Sequence, residues 1–152
     1  MCIKNALIFF FLLISLSLNS QILIDDVGDG WKSKVDSALT LIEQTSPEHW
    51  EVVKENCNHI IFWLGNFSTT TDTSTIMIAV RDIKLGSINN LACVIVHESL
   101  HLDFKNKKIF YTEAEEELRC YLWESKFLNK LDNPEPWLKL HLIKCINIYN
   151  KD

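Results

Sequence analysis

The chain has 152 residues, 47% of them hydrophobic, with only four Gly and three Pro, which suits one small ordered domain with a single core. Its net charge is −5 and no basic cluster interrupts it, so nucleic acid is not expected as a partner.

Residues 1–20 read as a secretory signal peptide. Lys4 gives a short positive start, Ala6 to Ile14 is an unbroken apolar run, and Ser15, Ser17, Asn19 and Ser20 lead to a cut near Gln21. The run is short for a membrane-spanning helix, so no stable membrane insertion is expected once it is removed. The product, residues 21–152, would be secreted or periplasmic. It would keep Cys57, Cys93, Cys120 and Cys145, an even number that permits two disulfides, with no pairing assigned.

After a lead-in with a Gly28-Asp29-Gly30 turn, residues 31–44 read as a helix whose apolar side holds Val35, Leu39 and Ile42. Ser46-Pro47-Glu48 starts a second helix, with Ser46 as cap, and Trp50, Val52 and Val53 are expected to face inward. The run 59–64 and the run 76–80 read as strands, free to pair as a hairpin. Between them, 67–74 reads as a Ser/Thr-rich loop, and 82–90 as another. A helix over 89–102 follows, then one over 112–131 with a Thr112/Glu115 capping box, and a last one over 137–150. The expected fold class is α+β, mostly helical, with a short β-hairpin or small sheet beside the third long helix.

That third helix carries His97-Glu98-Ser99-Leu100-His101. Residues four apart on a helix lie one above the other, so His97 and His101 can point two imidazoles at one metal ion. Zinc suits imidazole and keeps an open position for water in catalytic sites. Glu98 is placed to act as general base toward that water. The flank Leu91-Ala92-Cys93-Val94-Ile95-Val96 buries this helix.

A third ligand is expected from the next helix. Glu117 falls at the middle of its apolar side, and a buried carboxylate needs a partner. Glu113 is the alternative, and one of the two could orient a histidine rather than ligate. Tyr111, Asp103, His49, His59 and His141 read better as ordinary structural residues. Asn66-Phe67-Ser68 matches a glycosylation sequon.

At His97–His101 the chain resembles the zinc metallopeptidases with HExxH on an active-site helix. The glutamate on the following helix resembles the gluzincin group; the pattern with a more distant third histidine fails, since Phe104 and Lys107 stand at its Gly and His positions. The resemblance implies a zincin-like domain, Zn2+ as cofactor and peptide or protein substrates. It also implies that an edge strand beside the active-site helix, here 76–80, pairs with extended substrate. Two other readings fit the residues: a non-catalytic zinc-binding interaction module, and an all-helical interaction protein with an accidental motif.

Overall fold

The computed structural model describes residues 21–151. The expected signal peptide, 1–20, lies outside the described residues. The chain runs β1 (Leu23–Ile24), α1 (Trp31–Thr45), α2 (Pro47–Asn56), β2 (His59–Trp63), β3 (Thr69–Thr70), β4 (Thr75–Ala79), α3 (Val80–Leu85), α4 (Ile88–Lys107), α5 (Glu113–Leu128) and α6 (Pro136–Tyr149). The class is α+β, with one small mixed sheet in the order β1-β2-β4-β3.

The two main strands do not form a hairpin. β2 and β4 are parallel neighbours, with His59 opposite Thr75 and Trp63 opposite Ala79. Parallel neighbours need the chain to travel back between them. Here the return segment contributes β3, antiparallel to the outer side of β4, with Thr69 opposite Met77 and Thr70 opposite Ile76. The true hairpin is therefore β3–β4. Its turn is built on Asp72, whose carboxylate accepts the backbone N–H groups of Ser74 and Thr75, each at 2.6 Å. These bonds, the Ser74 N–H foremost, hold the Asp72 carboxyl below its ordinary range. A two-residue polar strand has too few side chains to show a period, which is why the segment reads as loop. It follows that β4 lies inside the sheet, between β2 and β3, and is not the expected edge strand.

The core lies where α1, α2, α5 and the sheet meet α4. Val35, Ile42, Val53, Ile60, Ile76, Ile78, Ile95, Leu102 and Phe127 are fully enclosed there. Trp50 and Val52 are only partly buried, and Val53 alone of the three is enclosed. α4 is buried along nearly its whole length, as expected of a central helix packed on several sides. Ser87 caps its start by accepting from Asn90 N–H at 3.1 Å. Lys108, in the left-handed region at φ 54°, ends it and turns the chain toward α5. The Thr112/Glu115 capping box forms as expected. Ser46, by contrast, makes no side-chain cap. Its hydroxyl bonds His49 Nδ1 at 2.6 Å and accepts from Lys130 Nζ at 2.8 Å. Of the segment 82–90 expected as a loop, 82–85 belong to the short helix α3 and 88–90 to the start of α4.

Cys57, Cys93, Cys120 and Cys145 are free thiols, not disulfides. Each is buried, and Cys57 and Cys93 belong to the core as small apolar residues. Burial pushes Cys57 up to about 12, so it stays a neutral thiol.

Candidate metal centre

α4 and α5 pack face to face, joined by a short connection, and their contact brings the two histidines against a row of glutamates. His97 Nε2 and His101 Nε2 lie 3.3 Å apart. Glu117 reaches across from α5, with Oε2 3.4 Å from His97 Nε2 and Oε1 3.3 Å from His101 Nε2. Donor atoms bound tetrahedrally to an ion at zinc–nitrogen and zinc–oxygen distances stand about 3.4 Å apart. The three groups thus have the spacing of a metal ligand set.

The other ring nitrogens are held by two more carboxylates. His101 Nδ1–H donates to Glu116 Oε1 at 2.6 Å, and His97 Nδ1–H donates to Glu124 Oε2 at 3.1 Å. A carboxylate on Nδ1 fixes the tautomer with the Nε2 lone pair facing inward, the form that ligates. Two such lone pairs and the Glu117 oxygens are all acceptors, so the centre of the cluster suits a cation. Without a metal, protons fill that need. Burial works against charging His97, but its bonds to Glu117 and Glu124 win and raise it. His101 is raised in the same way, with Glu117 and Glu116 outweighing its burial. Burial would raise Glu117, yet the two histidines bring it well down.

A second donor set overlaps the first. His97, His101 and Cys120 offer donor atoms within 4.8 Å of one another and could hold a metal ion. The two sets differ in their third member. Glu117 is charged and lies at ligand spacing from both Nε2 atoms. The Cys120 thiol is fully buried, and burial, with Glu117 and Glu116 nearby, keeps it protonated. Glu117 and Cys120 are thus alternative third donors to the same two histidines.

Glu113 stands apart from the cluster. It shares the inward angle of α5 but sits one turn, about 6 Å, nearer the helix start, where it is exposed. Glu98 is 7% exposed, and burial, opposed by His97 and His101, raises its pKa above the ordinary carboxylate value. It borders a cleft of about 480 Å³ together with His97, Val94, Tyr121 and Glu124 on the helical side. The opposite wall comes from Phe67, Ser68, Arg81 and Leu85, and α6 contributes Trp137 and His141. The volume is that of a small-molecule or peptide side-chain site.

No family model, curated protein or solved structure matches the chain.

Sequence reasoning passed over five of the residues gathered here, among them Cys120, which it took only as a disulfide candidate. By helical angle Glu124 lies close to the middle of the apolar side of α5 and Glu116 at one edge, and both sit four residues from Cys120. Tyr121, whose ring meets that of His97 edge-on at 4.5 Å, read only as core. His141 lines the cleft rather than being an ordinary helix residue. The others keep structural roles. His49 is buried against Trp123, His59 pairs with Asp25 at 2.8 Å, and Tyr111 packs between Phe104 and Arg119. Asp103 accepts from Asn56 and Lys107, tying α4 to α2 away from the cluster.

Proposed function

We propose that this protein is an exported zinc-dependent hydrolase, a zincin-like metallopeptidase acting on peptides or proteins outside the cytoplasm. The observation that carries the reading is the triangle of His97 Nε2, His101 Nε2 and Glu117 at 3.3–3.4 Å, with both Nδ1 atoms held by carboxylates. Zinc held by these three side chains supplies a Lewis acid and lowers the pKa of water at its open position.

The chain's own groups supply the rest. Glu98 borders the cleft beside the first histidine, where its carboxylate takes the proton of the attacking water. It then returns that proton to the leaving nitrogen, so water is divided between the two products and Glu98 ends as it began. Burial, opposed by His97 and His101, raises its pKa, which favours release of the proton it has taken up. Glu116 and Glu124 keep the imidazoles oriented. Phe67, Leu85 and Trp137 give the cleft apolar walls for a substrate side chain.

The test is digestion of a peptide library by the wild type, Glu98→Gln and chelated wild type. Glu98→Gln should retain zinc and fold and lose at least about 100-fold in turnover. Equal cleavage by all three, or no cleavage by zinc-loaded wild type, refutes the hydrolase.

One observation favours a second reading, a non-catalytic zinc-binding module. Were Cys120 to join His97, His101 and Glu117, four protein donors would close the site as in structural zinc centres. Cys120→Ser separates the two. It leaves zinc affinity unchanged in the open site and weakens it sharply in the closed one.

A further inference from the structure

α6 is apolar on both sides. Leu138, Leu142 and Cys145 are buried against the body of the protein. The outward side is still rich in large apolar residues: Trp137, Leu140, Ile143 and Ile148 are 48%, 60%, 55% and 62% exposed. Isolated exposed apolar residues are ordinary, but Leu140 and Ile143, about 60° apart around the helix, form a short outward strip, with Trp137 and Ile148 together to one side of it.

The charges around the strip have one sign. At about 100° per residue, Leu140 and Ile143 occupy the middle of the outward side, with Lys139 on one flank and Lys144 on the other. No acidic residue occurs from Pro136 to Lys151. Over residues 119–151 there are six basic side chains and three acidic ones, and of the acidic three Glu124 is buried in the metal cluster. The whole chain, by contrast, carries −5. On α6 and the residues after it, through Lys151, every charged side chain is thus a lysine: Lys139, Lys144 and Lys151.

We propose that α6 is a membrane-docking element that lies flat on an anionic phospholipid surface. An apolar strip edged by lysines suits that surface: Leu140, Ile143 and Ile148 enter the acyl boundary while the lysine stems extend outward to the phosphates. Trp137 at the helix start suits the headgroup level. A second copy of this chain fits the strip poorly, because a two-fold contact through it would set lysine against lysine. No described helix is long and apolar enough to cross a membrane, so α6 lies on the bilayer and does not span it. The inference does not depend on metal or catalysis.

The chain from Gln21 onward contains the entire described core and is the form to test, free of the apolar leader. Its co-sedimentation is measured with vesicles of phosphatidylcholine alone and with phosphatidylglycerol added. Binding is expected to the anionic vesicles, to weaken with added salt, and to fall about tenfold or more in Leu140→Ser/Ile143→Ser. Lys139→Gln/Lys144→Gln should weaken binding to anionic vesicles and leave any residual binding to neutral ones unchanged. These side chains are exposed, so unchanged circular dichroism and thermal midpoint verify the fold. Failure to bind anionic vesicles, or equal binding by the Leu140/Ile143 variant, overturns the proposal. So does concentration-dependent dimerisation, without vesicle binding, that this variant abolishes.

Discussion

Glu124→Gln keeps the size of the side chain against His97 and removes its charge. The wild-type carboxylate accepts His97 Nδ1–H at 3.1 Å and is 6% exposed, so solvent replaces it less readily than it replaces Glu116. Loss of such a partner typically costs about 10–100-fold in metal affinity, or about 1.4–2.7 kcal/mol. Burial places Glu124→Gln in the upper half of that range. Glu116→Gln belongs at the lower end, because the Glu116 side chain is 25% exposed and water can take over part of its role. Glu117→Gln, which alters the proposed third ligand, should weaken zinc more than either. Glu113→Gln should have no effect. The assay is competitive zinc titration against a chromophoric chelator, with far-UV circular dichroism to confirm folding. Wild-type affinity in a folded Glu124→Gln refutes the orienting role. A loss in Glu113→Gln as large as that in Glu117→Gln would move the third ligand to Glu113.

Two further outcomes follow from the buried groups. Protein spanning residues 21–152 should show four thiols to a thiol reagent when unfolded without reductant, and almost none when native; fewer than four on unfolding would mean that a disulfide had formed. Burial lowers the pKa of His49 below its ordinary 6.5 even though the Trp123 carbonyl opposes this. The unfolded chain then takes up the proton first as pH falls, so the contribution of His49 is complete above about 6.5 and is lost as pH drops below it. His97 and His101 shift the other way, so the comparison is between wild type and His49→Gln under the same metal conditions. The variant should be less stable overall, with a shallower loss below pH about 6.5; parallel curves would contradict the assignment.

How much of this was legible beforehand follows from what each pattern encodes. Helical periodicity is local, so the i,i+4 histidines, their buried flank and the Thr112/Glu115 cap were readable before any contact was known. The same periodicity also placed Glu117 on the inward face of α5. It could not say how far along that axis the histidines would sit. An angle cannot separate Glu113 from Glu117, and only the packing of α4 on α5 leaves the first exposed and sets the second between two imidazoles. That packing also gave Glu116 and Glu124 their histidines. In the sheet, the strands His59–Trp63 and Thr75–Ala79 were visible as apolar runs. Their parallel pairing was not, because it depends on a two-residue strand too short and too polar to carry a period. The cysteines follow the same rule: their count permits bridges, but a disulfide needs two Cβ atoms to converge, and the fold buries each thiol alone. The sequence determined which residues can do metal chemistry and on which helices they lie. The tertiary structure decided which of them meet, since meeting depends on the relative position of elements that no local pattern records.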